Sequence, residues 1–165
     1  MNLYFIRHAT AEPKADSDAQ RNLTAEGKEE AKLLGKGLKK LGIKPDEILT
    51  SPLNRAVQTA EIIAQVMKME KKPVVVPQLE NGHSSSELFE VIKKYDNQSS
   101  LFLVGHMPSL AEHLAEFLGV GRPQAFPLDK GGIGAIRSDD TLRLGTWELR
   151  FLLRQAQIRK LLKAA

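Results

Sequence analysis

Three short runs restrict the fold open to this chain more than any other feature: Leu3-Tyr4-Phe5-Ile6, Glu47-Ile48-Leu49-Thr50 and Leu101-Phe102-Leu103-Val104. They are too short for helices, and the first and last lack polar alternation, so they read as strands buried on both faces. The segments between them carry helical spacing. After a polar loop from Thr10 to about Leu23, Thr24 is an N-cap with Glu26 in the first turn. Ala31, Leu34, Leu38 and Leu41 then line one face until Gly42. Ser51-Pro52 opens a second helix, Ser51 as N-cap and Pro52 at N1, with Ala56, Ala60, Ile63, Ala64 and Met67 as its stripe. Pro73 to Val76 is a further strand, and Ser84 to Ser86 precede a helix bearing Leu88, Val91, Ile92 and Tyr95. Ser109 begins another, with Leu110, Leu114 and Phe117 or Leu118, closed by Gly119. Gly132 to Ser138 and Thr141 to Leu149 read as a hairpin around Asp139-Asp140, and a basic helix follows from about Arg154. Strands alternating with helices predict right-handed βαβ crossovers. The expected fold class is α/β, a three-layer α/β/α sandwich on a mostly parallel sheet.

At 165 residues the expectation is a single domain spanning 1–165. The chain has no cysteine, which excludes disulfides, zinc-thiolate sites and thiolate nucleophiles. Twenty-four Lys and Arg against 20 Asp and Glu give a charge of +4. That suits an anionic substrate and is too slight for a nucleic-acid coat. No stretch approaches the ~20 apolar residues that span a bilayer, and the start lacks a signal-peptide pattern. A cytoplasmic protein, with neither membrane nor nucleic acid as partner, is expected.

In an open α/β sheet, ligands bind beyond the carboxyl ends of the strands. Arg7 and His8 follow the first strand directly. Ser51-Pro52 follows the second and starts a helix carrying Arg55, and His106 follows Leu101–Val104 just before another helix. Any one of these residues alone also fits a structural role. Together they put two imidazoles and two guanidiniums on one sheet edge beside two helix N-termini, which favour anions. Planar, permanently charged guanidiniums suit phosphate in particular.

Phe5-Ile6-Arg7-His8-Ala9 resembles the Arg-His-Gly signature of the histidine phosphatase superfamily, the phosphoglycerate mutase-like proteins. Thr50-Ser51-Pro52-Leu53-Asn54-Arg55-Ala56-Val57-Gln58-Thr59-Ala60 is similar to its second motif, and Val104-Gly105-His106 to its third. The extension Met107-Pro108-Ser109-Leu110 resembles the SixA-type phosphohistidine phosphatases, and Asn22-Leu23-Thr24-x-x-Gly27 fits their Pro-Leu-Thr-x-x-Gly segment with Asn for Pro. The resemblance implies that His8 is a nucleophile that becomes transiently phosphorylated, while Arg7, Arg55 and His106 grip the phosphoryl oxygens. It implies a phosphatase that needs no metal and no cofactor, because guanidiniums neutralise the charge. A neutral imidazole is a competent nucleophile at pH 7, and the three neighbours stabilise charge on the transferring group.

Arg21, in the loop after the first strand, is either a further phosphate ligand or a solvated charge. Ser51 is expected to cap its helix. Ala9 stands where the family most often has Gly, and would be strained by about 1 kcal/mol if the position required positive φ. Glu80 lies near the position where mutases keep a general acid, yet phosphohistidine phosphatases often lack one, and a leaving nitrogen already protonated needs little acid help. His83 and His113 read as surface or helix-face residues, with no carboxylate cluster to suggest a metal site. The short segments after Glu80 and Leu118 imply an open pocket, suited to phosphohistidine presented by another protein. The alternatives are a phosphomonoesterase for sugar or nucleotide phosphates and, from another class, a non-catalytic phosphoprotein-binding module. The expected partners are a phosphohistidine-bearing protein and, in the pocket, phosphate or another oxyanion. Monomer or weak dimer is expected.

Overall fold

The computed structural model describes residues 1–139 and 141–164. In chain order the strands and helices are β1 (Asn2–Arg7), α1 (Ala25–Lys40), β2 (Glu47–Thr50), α2 (Asn54–Met67), β3 (Val74–Val75), α3 (Ser85–Ile92), β4 (Ser100–Gly105), α4 (Ser109–Leu118), β5 (Ile133–Arg137), β6 (Glu148–Leu153) and α5 (Gln155–Lys163). They build one six-stranded sheet in the order β3-β2-β4-β1-β5-β6. β1, β2, β3 and β4 are mutually parallel where they pair, whereas β5 runs antiparallel to both β1 and β6.

Successive side chains of a strand point to opposite faces, and this divides the core in two. Leu3, Phe5, Leu101 and Leu103 pack with Leu88, Ile92, Leu110, Leu114 and Phe117 of α3 and α4. Ile6, Phe102 and Val104 pack with Leu34, Leu38, Ala60 and Ile63 of α1 and α2, and with Ile158 of α5. The three layers are therefore as the sequence implies. Caps set several helix starts and stops. The Thr24 hydroxyl accepts from Gly27 N at 3.0 Å, Ser84 and Glu87 form a reciprocal capping box, and α4 ends at Gly119 with φ +69°.

Three details differ from expectation. Leu41 closes α1 instead of joining its stripe, and its side chain is exposed, because the helix has ended one residue earlier. Ser51 does not cap α2: the helix starts at Asn54 with Leu53 before it, and the Ser51 hydroxyl is engaged elsewhere. The expected second hairpin strand, Thr141 to Leu149, is displaced to Glu148–Leu153. Leu142, Leu144 and Trp147 pack on the α3–α4 core from irregular chain instead, and Trp147 N donates to Phe117 O at 3.1 Å. The Asp139–Asp140 turn falls partly outside the described residues. Among the described residues, no helix is long and apolar enough to cross a membrane.

Candidate active site

β1 and β4 are neighbours at the sheet centre, with Arg7 opposite Gly105. Beyond their carboxyl ends the chain leaves to opposite faces, through α1 after β1 and through α4 after β4. Such a divergence opens a crevice at the strand ends. His8 N donates to Gly105 O at 3.0 Å, so His8 and His106 emerge side by side, their ring centroids 5.0 Å apart and tilted by 51°. Ser51 N donates to Val104 O at 2.9 Å and brings the end of β2 to the same edge. Gly105 is required there for space, since a Cβ would lie 2.9 Å from the Leu79 carbonyl.

The partners of the two imidazoles decide which nitrogens carry protons. His8 Nδ1 lies 2.7 Å from the Ala9 carbonyl, an acceptor, so Nδ1 bears the hydrogen and Nε2 keeps its lone pair. His106 Nε2 lies 2.7 Å from Ser51 Oγ, which itself accepts from Leu53 N at 3.3 Å. The Ser51 hydroxyl hydrogen is then best placed to donate to His106 Nε2, which leaves the ring proton on Nδ1. Both rings are buried and stay neutral. Burial chiefly lowers the His8 pKa to about 4, helped by the positive charges of Arg55, Arg7 and Lys130 and opposed by the bond to Ala9. Burial likewise takes His106 to about 3, with His8, Arg55 and Arg7 adding to it and Asp18 opposing.

The guanidiniums are anchored from distant parts of the chain. Arg7 Nη1 donates to Leu128 O at 2.9 Å. Arg55, nearly inaccessible, donates through Nη1 to the Asp18 carbonyl at 2.8 Å and through Nη2 to the Asp18 carboxylate at 3.0 Å. Arg7 Nε and His106 Nδ1 are buried donors without a protein partner. Buried polar atoms normally find partners, so two orphaned donors in one crevice mark a place for an external acceptor such as an oxyanion.

Several residues that hold this crevice were given no role by sequence reasoning. Ala9 N donates to Thr59 Oγ at 3.1 Å, and that hydroxyl donates to Arg55 O at 2.6 Å. Leu23 N donates to Gln58 Oε1 at 2.7 Å. The Gln-Thr pair three and four residues after Arg55 is thus what fastens the loop beyond β1 to α2. Glu30 accepts from Thr10 N at 2.8 Å and from the Thr10 hydroxyl at 3.1 Å. Gly27 lets the first turn of α1 lie against that loop, since a Cβ there would stand 1.9 Å from Thr10 O. Lys130 enters through the turn Asp129–Gly132, whose Gly131 N–H approaches the carbonyls of Arg7 and His8 at 3.1 and 3.2 Å. Spacing carries no signal for Lys130, which lies 122 positions after His8.

The remaining sequence candidates divide. Arg21 reaches the cluster indirectly: its Nε donates to Glu12 O at 2.6 Å and its Nη1 to Asp18 Oδ1 at 2.8 Å. Glu80 is half-buried behind the short turn Pro77–Leu79, next to the Leu79 carbonyl that abuts Gly105. Ala9 has no positive φ, for Lys68 alone among the described non-glycine residues does, so its replacement of Gly is unstrained. His83 is partly exposed and pairs with Glu87 at 3.2 Å, as a surface residue should. His113 is a helix-face residue turned into the core, with Nδ1 2.8 Å from Ser85 Oγ; burial lowers its pKa to about 4.

Fold and crevice together define an α/β protein with an imidazole–guanidinium cluster at the strand ends of a mostly parallel sheet. The model of the histidine phosphatase superfamily (branch 1) matches residues 3–83. A phosphohistidine phosphatase SixA homolog of Haemophilus influenzae is 34% identical, the match covering 76% of this chain and 82% of that protein. An uncharacterized protein of Picosynechococcus sp. is 38% identical over 84% of this chain and 86% of its own length. The structure of the protein histidine phosphatase SixA complexed with tungstate superposes with a TM-score of 0.85 at 23% identity, covering 94% of this chain and 98% of the other. The chain belongs to the histidine phosphatase superfamily.

Proposed function

We propose that this chain hydrolyses phosphohistidine on a protein, using His8 as a transient covalent acceptor. His8 Nε2 forms a bond to phosphorus while the phosphorus–nitrogen bond of the substrate breaks. The leaving imidazole takes that electron pair and departs neutral, its other nitrogen carrying a proton. Water then attacks the phosphorus of phosphorylated His8, the electron pair returns to Nε2, and one water proton passes to solvent or phosphate. Arg7, Arg55 and His106 Nδ1–H stabilise the charge on the equatorial oxygens in both steps.

The observation that carries this reading is the pairing of a His8 tautomer with Nε2 free beside two orphaned buried donors, Arg7 Nε and His106 Nδ1. A departing imidazole whose other nitrogen is already protonated needs no further acid, whereas a departing alkoxide does. The names of the similar proteins, a phosphohistidine phosphatase SixA homolog and a protein histidine phosphatase, point the same way. The partner implied is a protein bearing phosphohistidine.

The deciding experiment offers ³²P-phosphohistidine peptide and a panel of sugar and nucleotide monoesters. Faster release from the peptide, with an acid-labile label lost in His8→Ala, is the expected result. Preferential cleavage of a monoester that collapses in Glu80→Gln would replace the reading with a phosphomonoesterase. Binding without turnover by the intact protein would make it a phosphoprotein-binding module.

A further inference from the structure

Resting on that reading, we propose that Asp18 is a positioning residue, a carboxylate bridge that aligns Arg55 and recruits Arg21 to the same phosphoryl group. Asp18 sits at the start of a single 3-10 turn, Asp18–Gln20, in the loop that follows β1. Its side chain is 64% exposed, so packing does not explain what it does. Its polar atoms nevertheless account for three contacts with arginine side chains. Oδ2 accepts from Arg55 Nη2 at 3.0 Å, the backbone carbonyl accepts from Arg55 Nη1 at 2.8 Å, and Oδ1 accepts from Arg21 Nη1 at 2.8 Å. Both terminal nitrogens of Arg55 are thereby fixed by one residue, in a fork that sets the plane of the guanidinium.

Each of those nitrogens carries a second hydrogen, so the bridge leaves donors available to a phosphoryl oxygen. Arg21 is tethered at its other end, Nε to Glu12 O at 2.6 Å, and depends on Asp18 for where Nη1 points. The loop itself is fastened to α2: Asn54 Nδ2 donates to Gln20 O at 3.4 Å and to Asn22 Oδ1 at 3.1 Å, and Gln58 Nε2 donates to the same Asn22 oxygen at 3.0 Å. The bridge thus hangs on the helix that carries Arg55.

Two opposing consequences make the role measurable. Asp18 places a negative charge beside a dianionic substrate, so its removal strengthens the attraction of the pocket for phosphate. Its removal also frees two guanidiniums from their alignment, and a small misplacement of positioning groups costs about 100-fold in rate. A positioning residue therefore shows its loss in kcat while KM holds or falls. A residue that merely shaped the loop would raise KM or lower thermal stability.

The test measures kcat and KM for phosphohistidine peptide, and the inhibition constant of inorganic phosphate, in the full chain carrying Asp18→Ala, Asp18→Asn or Asp18→Glu, with melting temperature as a check on folding. The expected result is a kcat lowered about 10- to 100-fold in Asp18→Ala. KM and the phosphate constant stay unchanged or fall, and Asp18→Glu recovers more kcat than Asp18→Asn. In Asp18→Ala, additional removal of Arg21 costs less than about twofold more, because the bridge is already gone. A kcat within about twofold of the parent, or a loss confined to KM or to the melting temperature, overturns the proposal. Failure of the parent protein to turn over phosphohistidine overturns the functional reading instead, and the parent is measured first.

Discussion

Ser51 and His106 meet across 2.7 Å, Oγ to Nε2, and the pairing leaves His106 Nδ1 as a buried donor with no protein partner. Ser51→Ala removes this control of the tautomer. It should lower kcat/KM for phosphohistidine peptide about 10-fold, the equivalent of one hydrogen bond of about 1.4 kcal/mol. Steady-state kinetics checks it, and an unchanged kcat/KM would mean that the tautomer is set by other means.

His8 and His106 are held neutral well below the ordinary imidazole range, at about 4 and about 3, chiefly by burial. In the ligand-free protein their ring resonances should therefore stay unmoved as pH falls from 8 to 5. Imidazole NMR titration reads this directly, with His8→Ala and His106→Ala used for assignment. A midpoint near 6.5 for either ring would remove the electrostatic basis for a standing nucleophile.

The same shifts govern stability. His8, His106 and His113 each have a folded pKa below the unfolded value of about 6.5. The unfolded chain therefore binds more protons between about 4 and 6.5. Stability from these groups is complete above about 6.5 and drains away as pH falls toward the folded values, on the order of 1 kcal/mol per pH unit for each ring. Urea unfolding at pH 7.5, 6.0 and 5.0 should show that decline, with a shallower slope in His113→Leu. A flat profile would contradict it.

Gly27→Ala drives a methyl group against the Thr10 carbonyl, 1.9 Å from an unadjusted Cβ. Backbone must move, so a loss of at least about 2 kcal/mol is expected, at the upper end of overpacking costs. The loop beyond His8 should loosen with it. A fall in melting temperature accompanied by faster amide exchange of Ala9 and Thr10 is the signature. A melting temperature equal to the parent's would mean that the turn and loop do not pack as described.

How much of this was readable beforehand follows from the range of each interaction. Strand and helix patterns are local, so the layers, the sheet edge and the convergence of Arg7, His8, Arg55 and His106 could be read from apolar runs and the residues after them. The segment from Thr141 shows the limit: Leu142 and Leu144, two apart, imitate a strand, yet they and Trp147 lie in irregular chain packed on the α3–α4 core. Ser51 shows another, because a serine before proline has the chemistry of a cap, and only the approach of β4 assigns its hydroxyl to His106. Asp18 and Lys130 lay beyond sequence reasoning, since a charged residue in a polar loop carries no mark of the partner it meets.

The position of β1 has a consequence for how the protein is made. Its two hydrogen-bonded neighbours are β4 and β5, and Arg7 is anchored on Leu128. β1 thus gains its first partner only when residues 100–105 have been translated and its second only with residues 133–137. Contacts so distant along the chain make folding wait on loop closure. A ribosome-bound chain that stops short of Leu128 carries His8 and Arg55 but lacks the anchor of Arg7. Assembly of the His8, Arg7 and Arg55 cluster is therefore a late event in the life of the nascent chain, and apolar β1 waits unpaired until β4 arrives.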